Sequence, residues 1–304
     1  MKKPLFILGC PRSGTTLLAS LLNNTDYGRP VETHFITKYF RKLDSYGDIS
    51  IKRNLNRLLR DILNERPVMQ WKLKVDIDRF YNQLENFTYS EVVNKLCFMM
   101  AEKKGFKAWG DKTPRYIFDL DIIYQLFPES KYLYIVRDGR DVALSLMNVP
   151  WGPKNIYTCA EYWKKCNADN STLDELGNSG KFYFLRYEDL LDQSERILPE
   201  IYHFLGEDYD QAKIKDLTRR IKKGNYNKWK KRMSPRQVEM FEMVAANTLK
   251  RLGYETTYEE GGINGLISNA YRLHEALMKA VFLFRINVID GIKIKYFGKE
   301  PFAE

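Results

Sequence analysis

A chain of 304 residues, 44% hydrophobic and 29% charged, is long enough to bury a sizeable core and has none of the bias of disordered, fibrous or disulfide-scaffold sequences. Its 49 Lys and Arg against 39 Asp and Glu leave a charge of +10, which suits anionic partners such as phosphates, acidic glycans, nucleic acid or anionic lipid without choosing among them. Four cysteines without CxxC pairing (Cys10, Cys97, Cys159, Cys166) and three dispersed histidines (His34, His203, His274) exclude an obvious zinc cluster and point to reduced thiols in a cytoplasmic chain.

Met1-Lys2-Lys3 precedes an apolar run shorter than the ~7 to 15 residues of a secretory signal, so no export is expected. Leu5-Phe6-Ile7-Leu8 then reads as a strand buried on both faces, as in parallel sheets. A glycine-bearing turn follows, and from Thr15 the leucines at 17, 18, 21 and 22 keep helical spacing as far as Asn23-Asn24.

Residues 36–105 read as mainly helical, with Ile36, Tyr39, Phe40 and Leu43 on one face and Leu55, Leu58, Leu59, Ile62 and Leu63 on another. Two further buried-strand runs follow, at 132–136 ending on Arg137 and at 182–185 ending on Arg186. Strands alternating with helices imply a doubly wound parallel sheet.

Ser234-Pro235 is an N-cap followed by proline at the first helical position, opening a helix through Val238, Phe241, Val244, Ala245 and Leu249 to Gly253. From Ile263 to Phe284 the apolar residues recur at helical spacing, with Arg272 and Lys279 among them and Arg285 just beyond. The expectation is an amphipathic helix packed on its own domain, with contact to a membrane surface as the alternative. No stretch approaches the ~20 apolar residues that span a bilayer.

Gly9-Cys10-Pro11-Arg12-Ser13-Gly14-Thr15-Thr16 has the strand-loop-helix setting and glycine spacing of a Walker loop, with Thr15 where the lysine belongs. Glycines at both ends let consecutive N–H groups turn inward at one anion. The absent lysine is the group that reaches the β- and γ-phosphates of a nucleoside triphosphate, so kinase or ATPase chemistry is disfavoured. Arg12 offers a guanidinium from inside the loop instead.

PRSGTT directly after a first strand resembles the 5′-phosphosulfate loop of the sulfotransferases, whose donor is 3′-phosphoadenosine 5′-phosphosulfate (PAPS). The resemblance implies that Arg12, Ser13, Gly14, Thr15 and Thr16 wrap the 5′-phosphosulfate. Arg137 at a strand end with Ser145 eight residues on resembles the family's 3′-phosphate motif, though the same residues could be no more than a charged helix start beside Asp138 and Asp141. Leu185-Arg186-Tyr187-Glu188-Asp189-Leu190 resembles a strand-end block of protein-tyrosine and glycan sulfotransferases in which the tyrosine, here Tyr187, approaches the nucleotide. Asn227-Lys228-Trp229 resembles the late loop over PAPS, with Lys228 for a phosphate and Trp229 for the adenine face, or Trp229 as a core residue.

Pro30-Val31-Glu32-Thr33-His34-Phe35 resembles the segment that supplies a catalytic glutamate in this family, which makes Glu32 the expected general base. His34 is its rival, or its orienting partner, because an imidazole with an unperturbed pKa near ~6.5 suits proton abstraction. Gly110-Asp111-Lys112-Thr113-Pro114 looks like a strand end carrying Lys112 toward the cleft. By resemblance, Lys112 joins Arg12 in stabilising the departing phosphate; a surface ion pair of Asp111 with Lys112 is the plainer alternative.

The sequence is thus identified as a member of the PAPS-dependent sulfotransferase family, nearest the bacterial glycan and tyrosine types. The expected fold is α/β, a P-loop NTPase-like three-layer arrangement with a central parallel sheet and flanking helices. Residues 1–254 would form the sulfotransferase domain, with 36–105 as a helical acceptor-side insertion, and 255–304 a C-terminal amphipathic helix and tail. The expected reaction moves a sulfuryl group in line onto a hydroxyl of a carbohydrate or glycolipid, using PAPS as co-substrate, no metal and no nucleic acid. The rivals are a protein-tyrosine sulfotransferase, a Mg-dependent small-molecule kinase with Asp138 or Asp141 on the metal, and a non-catalytic nucleotide-binding module. The expected location is cytoplasmic, with peripheral contact at the inner membrane surface through the C-terminal helix as an option.

Overall fold

The computed structural model describes residues 2–285; the tail expected from 286 to 304 lies outside them. Strand β1 (Leu5–Leu8) leads to α1 (Thr15–Leu21). The helical stretch follows as α2 (Ile36–Phe40), α3 (Lys52–Leu63), α4 (Arg66–Met69), α5 (Ile77–Asn82) and α6 (Tyr89–Lys103). Next come β2 (Gly110–Asp111), α7 (Leu120–Leu126), β3 (Lys131–Val136), α8 (Gly139–Met147), α9 (Ile156–Cys166) and α10 (Ser171–Asn178). The chain continues through β4 (Phe182–Arg186), α11 (Tyr187–Asp192), α12 (Ser194–Leu205), α13 (Gln211–Arg219), α14 (Trp229–Arg232), α15 (Pro235–Arg251) and α16 (Gly265–Phe284).

The four strands form one parallel sheet in the order β2-β1-β3-β4. Leu5 pairs with Lys131 and Leu8 with Tyr134, so β1 and β3 begin level and β3 runs two residues further, to Val136. All four β1 residues are buried, which explains why the strand is a continuous apolar run without alternation. Phe6 anchors the core from β1, stacked on Tyr132 with ring centroids 5.7 Å apart and edge-on to Trp109 at 5.7 Å. β4 closes the sheet with Phe184 exposed, as an edge strand allows.

The chain divides into two compact units. The first holds the residues up to Val136 together with Asp169–Asn225, and so contains the whole sheet. Within it α3 buries Leu55, Leu58, Leu59 and Ile62, the stripe its spacing dictates.

The second unit holds Arg137–Ala168 and the residues from Tyr226 onward, built on α8, α9 and α15. Trp163 of α9 is fully buried against Phe241 of α15. Gly139 opens α8 directly under both rings, where a Cβ would lie 2.5 Å from Trp163 and 2.6 Å from Phe241. Ser234 begins α15 with a reciprocal capping box to Gln237, in keeping with its Ser-Pro start.

α16 departs from expectation. It is the helix its periodicity describes, but its leucines face solvent and not the domain, because the side chains that seat it are polar. No helix among the described residues is long and apolar enough to cross a membrane.

Candidate active site

The loop after β1 is shaped by close approach. Gly9 has φ +151, and a Cβ there would lie 2.4 Å from the Ile135 carbonyl oxygen; Gly14 has φ +98, and a Cβ there would lie 2.3 Å from the Tyr187 ring. Both positions therefore require glycine. Ser13 N–H donates to the Cys10 carbonyl at 3.0 Å, closing the turn. α1 starts at Thr15 with no side-chain cap and no acidic residue in its first turn, which leaves its leading N–H groups directed out of the helix for an acceptor. The Ser13 hydroxyl is buried and has no hydrogen-bond partner among the described residues. A polar group in that position costs free energy unless something accepts or donates to it.

Lys112 enters from the edge of the sheet. Val31 bridges to Asp111 in parallel register, and Lys112 N–H donates to the Val31 carbonyl at 2.7 Å, so residues 31–34 run beside β2. The Lys112 ammonium is largely buried and lies 3.4 Å from the Thr16 hydroxyl, and it forms an ion pair with Glu32. The other Glu32 oxygen meets His34 Nε2 at 2.8 Å.

Glu32 is half-buried. Burial pushes its carboxyl up, but hydrogen bonds from His34 and Lys112 and their charges win and hold it at about 2. Thr16, Lys112, Glu32 and His34 thus form one connected set inside the first unit, in which the sequence made Glu32 and His34 the candidate bases and Lys112 the group for the departing phosphate.

Asp111 organises that set. One carboxylate oxygen accepts from Thr113 N–H at 2.7 Å, and the other from Thr33 N–H and the Thr113 hydroxyl, each at 3.0 Å. Complete burial pushes Asp111 up to about 6 despite these donors. The surface pairing of Asp111 with Lys112 considered from sequence does not form, because Asp111 turns into the core while Lys112 turns to Glu32.

In the second unit, Asp138 caps α8 by accepting from Arg140 N–H at 2.9 Å. Both its oxygens also accept from the Arg140 guanidinium, at 3.0 and 2.7 Å. Arg140 continues to Glu242 at 2.6 Å, and the second Glu242 oxygen accepts from Thr257 and Tyr258 N–H at 2.8 and 2.7 Å. The Arg140 guanidinium sits 3.7 Å from the Trp229 ring centroid, and the Trp229 backbone N–H donates to Asp141 at 2.9 Å. Arg137 is buried beside Asp141 at 3.4 Å, and Ser145 is half-buried on α8.

Residues 4–211 match the model described as "Sulfotransferase family". The chain belongs to that family.

Among curated relatives, the nodulation protein NoeE of Sinorhizobium fredii is 28% identical over 149 residues, spanning 48% of this chain and 31% of that one. The omega-hydroxy-beta-dihydromenaquinone-9 sulfotransferase Stf3 of Mycobacterium bovis is 26% identical over 111 residues, spanning 31% of this chain and 28% of its own. The chain thus spans less than a third of the length of these relatives. The sulfotransferase domain of the Synechococcus PCC 7002 olefin synthase superposes with a TM-score of 0.54 at 23% identity, covering 84% of this chain and 97% of that one. The sulfotransferase domain of the curacin biosynthetic pathway gives 0.54 at 19% identity, covering 84% and 99%. These structures share the α/β fold with its central parallel sheet.

Part of the backbone strain falls on segments singled out from the sequence. Among the described residues five non-glycine residues have positive φ, and three of them, Arg12, His34 and Asn227, lie in segments the sequence singles out. Such conformations persist only where the surroundings impose them, and they cluster at functional sites.

Tyr187 packs its ring on Gly14 and its hydroxyl accepts from Asn225 at 3.1 Å, so it braces the loop. Lys228 is exposed at the start of α14, while one face of Trp229 is taken by Arg140. Sequence reasoning missed two groups, the Asp111 hub and the Arg140–Glu242 pair. Glu242 carried a signal, being a carboxylate directly after Phe241 on the apolar side of α15.

Proposed function

We propose that this sulfotransferase moves the sulfuryl group of PAPS in line onto an alcoholic hydroxyl of a carbohydrate or glycolipid. The observation that carries this reading is Lys112, buried and poised between Thr16 at the end of the loop and the Glu32–His34 pair. PAPS, when bound, supplies an activated sulfuryl group whose leaving phosphate needs only charge neutralisation. Arg12, Ser13, Gly14, Thr15 and Thr16 would hold the 5′-phosphosulfate. The Ser13 hydroxyl, without a hydrogen-bond partner among the described residues, and the start of α1, without a side-chain cap, fit an anion there.

Arg137 and Ser145 take the 3′-phosphate in this reading, and Tyr187, Lys228 and Trp229 the rest of the nucleotide. Glu32 accepts the acceptor proton, His34 orients it, and Lys112 neutralises the leaving phosphate with Arg12. Lys112 must then turn from Glu32 toward phosphate, which relieves the pairing that holds Glu32 near 2 and raises its basicity. Residues 1–254 serve as the catalytic domain, with 36–105 on the acceptor side.

The name of Stf3 describes an acceptor with an aliphatic hydroxyl, which favours an alcohol over a phenol. Incubation with sulfur-labelled PAPS and separated lipid, glycan and peptide extracts tests the proposal. Label in the lipid or glycan fraction is expected. Label confined to peptide would replace the acceptor with tyrosine, and bound PAP with no labelled product would reduce the protein to a nucleotide-binding module.

A further inference from the structure

The net charge of the chain is concentrated in one segment. Residues 211–236 hold eleven Lys and Arg against a single carboxylate, Asp216, so they carry the entire +10 and the remaining residues balance. Five of these cations, Lys228, Lys230, Lys231, Arg232 and Arg236, belong to the second unit and fall within nine residues with no acid among them. All five are exposed.

Local structure turns them outward together. On the single turn of α14, Met233 N–H donates to the Trp229 carbonyl at 2.9 Å, which puts the buried Met233 and the half-buried Trp229 on one side. At about 100° per residue, Lys230, Lys231 and Arg232 fill the rest of the arc. Arg236 stands in the first turn of α15, where the helix dipole disfavours a cation and no acidic residue offsets it. Other surface cations of the second unit are paired, Lys164 with Glu260, Lys250 with Glu259 and Arg272 with Glu161. Lys230, Lys231, Arg232 and Arg236 have no ion-pair partner among the described residues. Like charges gathered in this way repel one another until an anion meets them.

The donor does not absorb this excess. PAPS carries about four negative charges, and in the reading above Arg12, Lys112, Arg137 and Lys228 already meet it. The surface from 228 to 236 has no exposed large apolar side chain to enter a bilayer. Its one aromatic residue, Trp229, is assigned to the nucleotide, so no further ring is offered to the successive bases of a nucleic acid. Lys230 Nζ lies 5.7 Å from the Trp229 ring centroid, so within the second unit the cluster adjoins a residue of the donor site.

We propose that Lys230, Lys231, Arg232 and Arg236 hold an acidic carbohydrate chain, its charges being uronate carboxylates or sulfate esters, while one of its hydroxyls receives the sulfuryl group. The inference rests on the carbohydrate acceptor proposed above and narrows it to a polyanion.

Fluorescence anisotropy of the full chain with labelled polygalacturonate, dextran sulfate and neutral dextran tests this. Binding to a charged probe and none to dextran is expected, weakening with salt. Polygalacturonate binding marks carboxylates as the recognised charge, and dextran sulfate binding alone marks sulfate esters. Lys230→Gln/Lys231→Gln/Arg232→Gln, confined to one exposed turn, should bind the charged probe about ten-fold or more weakly at unchanged melting temperature and PAP affinity. Lys213→Gln/Lys215→Gln/Arg219→Gln removes the same charge from α13 in the first unit and should cost less than about three-fold. The proposal is overturned by no binding to either charged probe, or by equal losses in both variants, which would make net charge the cause. Tighter binding to duplex DNA or to phosphatidylglycerol vesicles, or a loss of PAP affinity parallel to that of the glycan, would overturn it as well. Anisotropy needs no turnover: transfer to a neutral glycan with no probe bound sinks this inference alone, and probe binding without transfer sinks the proposed reaction alone.

Discussion

Glu32 sits between two cations, and that placement sets its pH behaviour. Held at about 2 by His34 and Lys112 against the effect of burial, it stays ionised across the working range. Because its folded value lies below its ordinary value, its pairing stabilises the fold above about 4.5 and that contribution fades as pH falls toward 2. With Glu32 as base, kcat/KM should show no loss through neutrality on the acid side; a limb near ~6.5 would transfer the role to His34. In Lys112→Ala, Glu32 loses one counter-charge, so any acid limb should move upward while kcat falls more than donor binding does. Asp111→Ala removes the acceptor for three donors in the core, and a loss of about 2–4 kcal/mol in urea unfolding is expected, together with lower kcat. A milder loss with unchanged turnover would show that Thr113 holds residues 31–34 unaided. Glu32, His34 and Lys112 were legible as residue types in matching motifs, whereas the positive φ of His34 and the inward turn of Asp111 depend on a bridge between residues far apart in sequence.

At the scale of elements, strands showed themselves by apolar content and helices by spacing. β1 and β3 fall on continuous apolar runs because both their faces are covered, and β4 has such a run too although it lies at the sheet edge with Phe184 exposed. β2 has only Gly110 and Asp111, too short to leave a pattern. α16 shows what periodicity omits: a stripe defines a face and not its neighbour, and here Tyr271, Arg272 and Glu275 decided the orientation. The loop-to-α1 junction makes a sharp prediction. Gly14→Ala forces a Cβ to within 2.3 Å of the Tyr187 ring at φ +98, so the loop must shift and PAP binding should fall at least about ten-fold. Retained affinity would mean that the junction gives way without disturbing the anion donors. Glu242→Ala leaves one Arg140 guanidinium nitrogen and two backbone N–H groups without their acceptor in the second unit while Asp138 still pairs with Arg140, with an expected loss of about 2–4 kcal/mol and early proteolysis near residues 254–258.

For the molecule as a whole, the question is whether one polyanion engages both motif sets, and the kinase alternative is the counter-case. Asp138 commits both oxygens to Arg140 and its cap, and Asp141 contacts Arg137 and Trp229 N–H, so neither carboxylate is arranged to serve a divalent ion first. Turnover should therefore persist in chelator, whereas a kinase would lose it. Titration calorimetry with PAP carries the argument further. If Arg12 and Arg137 grip the same nucleotide, the natural chain binds one equivalent, and Arg12→Ala and Arg137→Ala each weaken that single isotherm by about 10- to 100-fold without splitting it. Free sulfate, competing only for the loop, should weaken PAP binding to Arg137→Ala as well. The net charge of +10 predicts that affinity falls with ionic strength in every variant, least where a guanidinium has been removed. Two independent isotherms, or an Arg137→Ala curve superimposable on the natural one, would mean that the strand-end arginine serves α8 alone and that the donor is held by the first unit.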